Sequence, residues 1–487
     1  MPVNAISKGV AVPSPPRMNI LQSTSTGLSS ATPSPLFSRR SSSSETGDFA
    51  VIPPPSHPSR THVLIFYSGD GLGHKYDASS NSNIVKFFDL LDRFSDQQIV
   101  YECEPFECRQ LNPLDRDASY WLDKLAKFLD KNIGDSLGCD VTDAYRHLAQ
   151  HYRDGDNISL FGFSRGAYTA RALAEMIHKV GLLPSAYGYG SDVGFAYKLY
   201  VQEVDDDWHK SFTKFKERLK PMDVHIDFFG VWDTVSSVGD VIPRTLPFTR
   251  LNTSIRVFRH ALALHEPRAS LHPKFYEGCC MNLFRHWSQQ FDARNRQDGG
   301  DVQEVWFAGS HCDIGGCAVP EDTSHSLGRI PLRWMVRECF RANTGIQFHA
   351  EGLRGIGLDP ASLYPIVEDR ARSLRPHSYH FNSIVPRVPM ASEEEHDVRD
   401  ALSPMHDQFT VFALLWRILE ILPIWRRIPL GSPSEWNEQP KTVRMNLPRG
   451  LVVPKDQSRR FYVHPTVYTR MQARKGSLDS RLTWCAV

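Results

Sequence analysis

The sequence lacks an uninterrupted apolar run of the roughly 18 to 20 residues that a membrane-spanning helix needs. The nearest candidate, residues 409–428, is interrupted by Arg417, Glu420, Arg426 and Arg427. We therefore expect no spanning helix. The stretch is amphipathic, and packing of one apolar stripe on the core is the simplest interpretation. The alternative is a lid or a segment that lies at a lipid interface, since aromatic residues and leucines alternate with arginines.

An excess of charge of either sign is also missing. Lys and Arg total 56 and Asp and Glu total 55, so the formal net charge is +1 over 487 residues. This balance gives no global electrostatic basis for binding nucleic acid, and we expect no nucleic-acid partner. The length permits two or three ordinary domains or one large decorated domain.

Paired cysteine motifs are absent as well. The nine cysteines include no Cys-x-x-Cys pair and no zinc-finger spacing. An odd number of scattered cysteines is typical of free thiols in a reducing compartment. We therefore expect a cytoplasmic protein that needs neither a cofactor nor a metal.

Residues 1–60 have few aromatic side chains and are rich in Ser, Pro and Thr. Such a composition buries too little apolar surface to offset the entropy of ordering, which predicts a disordered tail. Before Glu45 the tail has basic residues and no acidic ones, which is compatible with mitochondrial targeting. Without an amphipathic arginine face, a plain or phosphorylatable tail is the simpler interpretation.

Beyond the tail, short apolar runs that end in Gly or Asp alternate with helical patterns. The strand-like runs are 62–67, 158–161, 224–231 and 302–307, and the helical patterns are 83–94, 141–153 and 164–180. Strands that alternate with helices predict βαβ units and a mainly parallel sheet. Such α/β folds carry their chemistry at the carboxyl ends of the strands.

A Gly-x-Ser-x-Gly pentapeptide, GFSRG at 162–166, joins one of these strands to a helix. Small neighbours let the backbone turn tightly at this place and push the serine Oγ out above the sheet. The N–H of Arg165 would lie at the start of the helix, where it can bind an oxyanion. This context predicts that Ser164 is a nucleophile, whereas an ordinary glycine-rich turn with a capping serine is the alternative.

A serine nucleophile needs a base, and the base needs an acidic partner that fixes its tautomer. In this fold class the acid and then the histidine follow the serine, and Asp233 and His311 both lie just after strand-like runs. Asp227 lies inside a strand, where a core role is more common, and Asp313 could orient a loop or bind a cation. Spacing alone does not separate His311 from the other downstream histidines, which include His260, His265, His272, His286, His325 and His464.

Four longer motifs occur in a fixed order: GFSRGAYTAR at 162–171, GVWDTV at 230–235, RHALALHE at 259–266 and WFAGSHCDIGG at 306–316. Together they resemble an α/β-hydrolase family of unknown function that includes the catalytic domains of type VI secretion phospholipase effectors and uncharacterised fungal proteins. The resemblance extends over residues 60–472 and implies an α/β-hydrolase-like, mainly parallel sheet flanked by helices, with helical insertions. We expect a disordered tail at 1–60, a catalytic domain at 61–472 and a second tail at 473–487.

The resemblance implies a triad in which Ser164 is the nucleophile, Asp233 the orienting acid and His311 the general base. Asp313 would support this site.

The oxyanion hole would combine the Arg165 amide with a second donor from the loop after the first strand, at Asp70 or Gly71. Leu72 stands in this loop where the family usually has threonine. Two further departures are Cys317, at a position where a third glycine is common, and residues 98–104, which lack the usual glycine-containing loop.

The expected function is hydrolysis of carboxylic esters, and the resemblance implies a phospholipid substrate with peripheral membrane contact. A small soluble ester is the fallback. Because the departures border the pocket, a weak or inactive pseudo-hydrolase that binds a lipid or a partner is the alternative. A second alternative is a metal-dependent hydrolase that uses Asp70, His311 and Asp313 as ligands, although no compact ligand motif supports it. The sequence leaves the oligomeric state open.

Overall fold

The computed structural model describes a set of segments that together contain the sheet and most of its flanking helices. They are residues 19–20, 50–54, 60–68, 81–103, 133–188, 190–202, 204–235, 254–266, 301–368, 392–406, 423–426, 442–445 and 462–474. The predicted C-terminal tail at 473–487 lies almost wholly outside these segments, so that prediction stays open.

The strands are β1 (Asn19–Ile20), β2 (Val51–Ile52), β3 (Thr61–Phe66), β4 (Gln98–Cys103), β5 (Asn157–Phe163), β6 (Ile226–Trp232), β7 (Ile255–Ala263), β8 (Asp301–Phe307), β9 (Phe348–His349), β10 (Pro423–Arg426), β11 (Thr442–Met445) and β12 (Tyr462–Val463). The helices are α1 (Asn83–Leu90), α2 (Ile133–His151), α3 (Ser164–Val180), α4 (Ser191–Val201), α5 (Asp206–Leu219), α6 (His311–Gly315), α7 (Arg329–Arg341), α8 (Ala350–Gly355), α9 (Glu393–Leu402) and α10 (Pro465–Arg474).

Eight of the strands form one sheet in the order β1-β12-β8-β7-β6-β5-β3-β4. Every neighbouring pair in this sheet is parallel. The prediction of a mainly parallel α/β sheet flanked by helices is therefore confirmed. In such a sheet the carboxyl ends of β5, β6 and β8 lie at the same edge, which brings segments distant in sequence together.

Both faces of the sheet are covered, which explains why its strands are apolar throughout rather than alternating with polar residues. Side chains of successive residues point to opposite faces, and Val63 and Ile65 of β3 pack with α1 and α7. Leu64 and Phe66 of the same strand pack on the other face with α2 and α3. The amphipathic helices bury one stripe against each face.

The observed elements differ from the predicted ones mainly at their ends. The helix predicted over 83–94 ends at Leu90, because Leu91 has extended backbone and forms a bridge with Phe348. The helix predicted over 141–153 begins earlier, at Ile133, and ends at His151. Hydrophobic periodicity contains no information on such tertiary contacts. It therefore predicts the ends of helices and strands less accurately than their presence.

Two short strands lie within the segment for which the sequence predicts a disordered tail. Asn19–Ile20 pairs with β12, and Val51–Ile52 pairs with β9. Pairing satisfies their backbone hydrogen bonds, and Ile52 is also buried in the core. Composition averaged over the tail conceals these short pieces. The rest of the tail, including its basic residues, lies outside the described residues, so its targeting role stays a prediction.

The amphipathic stretch at 409–428 is described only at Pro423–Arg426. This piece is a strand paired with Thr442–Met445. The other residues of the stretch lie outside the described part of the chain. Its role as a lid or as a core element therefore stays a prediction. Among the described helices, none is both long and apolar enough to cross a bilayer.

A buried ion-pair network joins α7 to α9 on the face that carries α1. Arg333 Nε donates to Asp397 Oδ1 at 2.9 Å, and Arg333 Nη2 donates to Asp400 Oδ2 at 2.6 Å. The two carboxylates raise the pKa of the Arg333 guanidinium although burial opposes its charge. All three side chains are almost completely buried. The network therefore holds α9 against α7 through ion pairs that are shielded from water.

Replacing Arg333 by alanine is expected to lower the free energy of unfolding by about 3–5 kcal/mol, because two buried carboxylates lose their partner. Urea denaturation followed by circular dichroism measures the effect. The matched control is Arg399→Ala, which removes a half-exposed pair with Glu395 on α9 and is expected to cost less than about 1 kcal/mol. Equal losses in the two variants would contradict the assignment of a stabilising role to the buried charges.

Candidate active site

Ser164 lies at the sharp junction between β5 and α3, at the carboxyl edge of the sheet. Its φ of 55° is in the left-handed region, which non-glycine residues rarely adopt. The flanking glycines make the turn sterically feasible. A Cβ at Gly166 would lie 2.3 Å from the Phe66 carbonyl oxygen, and one at Gly162 would lie 2.7 Å from the Ala167 Cα. The local sequence thus permits α3 to begin directly against the end of β3.

Three side chains that are far apart in the sequence form a continuous hydrogen-bonded chain. The Ser164 hydroxyl lies 3.0 Å from His311 Nε2, and His311 Nδ1 lies 2.7 Å from Asp233 Oδ2. Each of the three residues is 1% exposed. Because a carboxylate only accepts hydrogen bonds, it places the imidazole proton on Nδ1 and leaves the Nε2 lone pair for the serine hydroxyl.

Asp233 occupies the first position after β6, and its backbone also lies in the left-handed region, with φ of 34°. Its amide donates to the Ala261 carbonyl at 2.8 Å, and its Oδ1 accepts from the Ala263 amide at 3.0 Å. Strand β7 therefore holds both the backbone and one oxygen of this carboxylate. The remaining oxygen is the one that meets His311.

The His311 ring stacks on Phe163, the residue before the serine, with ring centroids 4.8 Å apart. His311 is the first residue of α6, and its amide donates to Glu266 Oε2 at 2.9 Å. Apolar contact on the ring face and a hydrogen bond at the backbone leave the imidazole little freedom to turn away from Ser164.

Arg165 is the second residue of α3, so its amide belongs to the first helical turn, where amides have no acceptor within the helix. This location suits the predicted oxyanion donor. Asp70 and Gly71, the predicted source of the second donor, lie outside the described residues. Ser68, the last described residue before them, is buried.

Asp313 supports the loop that carries His311, since its carboxylate binds Ser310 and His406. Its carboxylate accepts from the Ser310 amide at 2.9 Å in a capping box, and it also accepts from the His406 amide at 3.2 Å. His406 Nδ1 lies 3.1 Å from the other oxygen. This hydrogen bond raises the pKa of His406 above its usual value.

The competing candidates that the structure describes have other partners. Asp227, at the start of β6, accepts from the Ile158 amide at 2.9 Å and so aligns two strands. His325 lies 3.2 Å from Asp400. His464 contacts Thr466 at 2.9 Å and stacks on Phe307. His272 and His286 lie outside the described residues.

His260 and His265 belong to the RHALALHE motif and contact the loops around the site. The Thr234 amide donates to His260 Nε2 at 3.1 Å, and the Gly309 amide donates to His265 Nδ1 at 3.1 Å. Burial lowers the pKa of His260, which favours the neutral ring that this acceptor role requires. Neither contact, nor the one from Glu266 to His311, could be read from local sequence, because each bridges separate strands.

Asn83, the first residue of α1, connects this helix to the α6 segment. Its side-chain amide donates to the carbonyls of Ile314 at 2.9 Å and Gly328 at 2.8 Å. Lys86, one turn further along α1, donates to the Gly316 carbonyl at 3.0 Å. Helix α1 therefore holds the end of the α6 segment.

Both ring nitrogens of His311 are engaged by Ser164 and Asp233, and the Asp313 carboxylate is engaged by Ser310 and His406. This use of their donor and acceptor atoms disfavours a metal site made from His311 and Asp313. Five cysteines of the described part of the chain are thiols that form no disulfide: Cys103, Cys139, Cys312, Cys317 and Cys339.

A parallel sheet with a serine at a sharp strand-to-helix turn and a histidine and an aspartate at neighbouring strand ends is an α/β-hydrolase-like arrangement. The family model described as "T6SS, Phospholipase effector Tle1-like, catalytic domain" matches residues 60–338. The chain belongs to this family. The match does not include residues 339–472, so the expectation that the resemblance extends to residue 472 stays a prediction.

Among curated proteins, the uncharacterised protein YEL023C of Saccharomyces cerevisiae is 32% identical over 246 residues, which are 48% of this chain and 35% of the yeast protein. The chain thus matches about a third of the length of that relative.

Two solved structures share 15% identity with this chain. One is an uncharacterised protein from Pseudomonas aeruginosa, with a TM-score of 0.32 over 63% of this chain and 49% of that one. The other is the Tle1 effector bound to the VgrG spike of the type 6 secretion system, with a TM-score of 0.26 over 54% of this chain and 52% of that one.

Proposed function

We propose that this protein is a serine hydrolase that cleaves carboxylic esters through Ser164, His311 and Asp233. The observation that carries the proposal is the buried hydrogen-bonded chain from hydroxyl to imidazole to carboxylate, with distances of 3.0 Å and 2.7 Å. Its position at the carboxyl edge of a parallel sheet supports the same assignment. The family is one of phospholipase-type hydrolases, which agrees with this chemistry.

In the proposed reaction, His311 Nε2 takes the proton of Ser164 as Oγ attacks the ester carbonyl carbon. The resulting imidazolium is stabilised by Asp233 and then donates this proton to the departing alkoxide, so that an alcohol leaves and an acyl-enzyme remains. A water molecule next gives a proton to His311 while its oxygen attacks the acyl carbon. Collapse of the second tetrahedral intermediate returns the proton to Ser164 and releases the carboxylic acid.

The negative charge that develops on the carbonyl oxygen needs donors that are already in place. The amide of Arg165, in the first turn of α3, is the proposed first donor. The loop that contains Asp70 and Gly71 is the proposed source of the second, since it follows β3, which is adjacent to β5 in the sheet. The unusual φ of Ser164 directs Oγ toward the same edge of the sheet.

The proposed substrate class is glycerophospholipid esters, which the description of the family supports. Such substrates lie in membranes, so peripheral contact with a lipid surface is part of the proposal. A phospholipase A that cleaves one of the two acyl esters is the specific form. A small soluble ester is the alternative substrate.

A fluorophosphonate probe tests the nucleophile without knowledge of the natural substrate. We expect covalent labelling at one site, located by peptide mass spectrometry at Ser164, because a serine activated by a neighbouring base attacks phosphorus readily. Labelling is expected to be insensitive to chelators. A folded protein that remains unlabelled would overturn the proposal in favour of a pseudo-hydrolase that binds a lipid or a partner.

The substrate class is tested with vesicles of phosphatidylcholine that carry a distinguishable acyl chain at each position, alongside short-chain p-nitrophenyl esters. Release of a fatty acid from the vesicles supports the phospholipase assignment. Turnover of the p-nitrophenyl esters alone would contradict it and leave a soluble-ester hydrolase.

A further inference from the structure

The RHALALHE motif lies on and just after β7, which runs between the strand that leads to Asp233 and the strand that leads to His311. β7 pairs with β6 on one side and with β8 on the other. Asp233 follows β6 directly, and His311 begins α6 shortly after β8. Any polar side chain near the carboxyl end of β7 is therefore close to both loops.

The loop that carries His311 is held by a row of side-chain acceptors. Three consecutive backbone amides each donate to a different side chain: Gly309 to His265 Nδ1 at 3.1 Å, Ser310 to Asp313 Oδ2 at 2.9 Å and His311 to Glu266 Oε2 at 2.9 Å. Two of these acceptors come from the end of the motif. Glu266 is 3% exposed, so water does not compete for this hydrogen bond.

The first half of the same motif holds the loop that carries Asp233. The Thr234 amide donates to His260 Nε2 at 3.1 Å, and His260 Nδ1 lies 3.1 Å from Glu304 Oε1 on β8. Because Nε2 accepts from an N–H, the ring proton is on Nδ1, where it is donated to Glu304. Glu304 thus fixes the tautomer that lets His260 hold the residue next to Asp233.

We propose that Glu266 and His260 are positioning residues for the base and the acid of the proposed triad, with Glu266 setting the backbone of His311 and His260 setting the turn at Asp233. The inference rests on the proposed function and deepens it. The turn at Asp233 has an unfavourable backbone geometry: its φ is 34°, a conformation that persists only where surrounding contacts determine it. Side-chain clamps on both loops supply these contacts.

The two residues would act on the chemical step more than on binding, because the distances from Nε2 to Ser164 and from Nδ1 to Asp233 depend on the two loop backbones. A displacement of about 1 Å in such a geometry costs on the order of 100-fold in rate. Glu266 and His260 bind loop backbone, so neither is assigned a part in bond making or breaking.

The test compares two substitutions at each position, one that keeps an acceptor and one that removes it. Glu266→Leu and His260→Leu are expected to lower kcat about 10- to 100-fold with KM changed less than about twofold. Glu266→Gln and His260→Gln keep an amide oxygen that can accept from the same N–H, and each is expected to restore kcat to within about fivefold of the wild type. Rescue by the glutamine variants is a result that a merely space-filling role would not give.

A proton NMR spectrum of the low-field region adds a readout that needs no turnover. The wild type and the glutamine variants are expected to show the resonance of the His311 Nδ1 proton shared with Asp233, and the leucine variants to show it shifted or broadened. If the wild type shows this resonance but hydrolyses no ester, the proposed function fails while the positioning inference survives. Unchanged spectra and unchanged kcat in the leucine variants would overturn the inference.

Asp301→Asn is the matched control, since Asp301 lies at the opposite end of β8 and pairs with Arg259 of the same motif. It is expected to leave kcat, KM and the low-field resonance as in the wild type. A loss of kcat in Asp301→Asn as large as in Glu266→Leu would mean that the sheet as a whole, rather than the two loops, had been disturbed, and would also overturn the inference.

Discussion

Replacing Ser164 by alanine is expected to lower kcat for ester hydrolysis by about 10⁵- to 10⁶-fold and to abolish labelling by a fluorophosphonate. The substitution removes the only atom that the proposed mechanism joins to the acyl group, while the oxyanion donors and the substrate-binding surface stay in place. Residual turnover of about 10³- to 10⁴-fold over water is therefore compatible with the mechanism. Single-turnover kinetics with the best ester of the substrate panel measure the change.

The fold should tolerate this substitution, because alanine has the same backbone restrictions as serine at a φ of 55°. The matched control is Ser159→Ala, which removes a completely buried serine hydroxyl from β5, the strand that leads to Ser164. Ser159→Ala is expected to keep wild-type turnover. Turnover by Ser164→Ala at more than about a hundredth of the wild-type rate would contradict the role assigned to Ser164.

Replacing Asp233 by asparagine is expected to lower kcat about 10⁴-fold, although the new side chain has nearly the same shape. The Ala263 amide donates to Oδ1 of residue 233, so an asparagine must keep its carbonyl oxygen at this position. Its NH₂ group then faces His311 Nδ1 and can only donate. The imidazole proton consequently moves to Nε2, which can no longer accept the proton of Ser164.

The pH dependence of kcat in the Asp233→Asn variant provides the measurement, and its KM is expected to stay within a few-fold of the wild type because the acid does not contact the substrate. Asp227→Asn is the control, because Asp227 lies at the other end of β6 and an asparagine oxygen can still accept from the Ile158 amide. A loss smaller than about 10-fold in Asp233→Asn would show that the orientation of His311 does not depend on this carboxylate.

The sequence predicted the α/β class and the sharp turn that carries the proposed nucleophile, because both have local signatures. The apolar run at 158–161 and the pentapeptide that follows it correspond to β5 and to the turn at Ser164. The glycines of that pentapeptide are required by close contacts with backbone that lies within a few residues or in one adjacent strand. A short sequence pattern is therefore enough to predict the turn. The helix predicted over 164–180 has the observed bounds for the same reason.

Local patterns were less informative where a contact joins distant segments. The end of α1 depends on a bridge from Leu91 to Phe348, and the strand at Pro423–Arg426 depends on pairing with Thr442–Met445. The supporting roles of Glu266 and His260 are of this kind as well, since each side chain accepts from a loop on a different strand. Hydrophobic periodicity contains no information on such pairings.

By itself the sequence determined a sharp turn that presents Ser164 at a strand end, together with a set of acids and histidines at later strand ends. Which of them meet was decided by the tertiary structure alone. Parallel pairing of β5, β6, β7 and β8 brings Asp233 and His311 to the same edge as Ser164, whereas His325 and His464 are engaged elsewhere. The physical reason is that the register of a parallel sheet is set by many weak contacts between distant segments, and a hydrogen bond of 2.7 Å exists only once all of them are made.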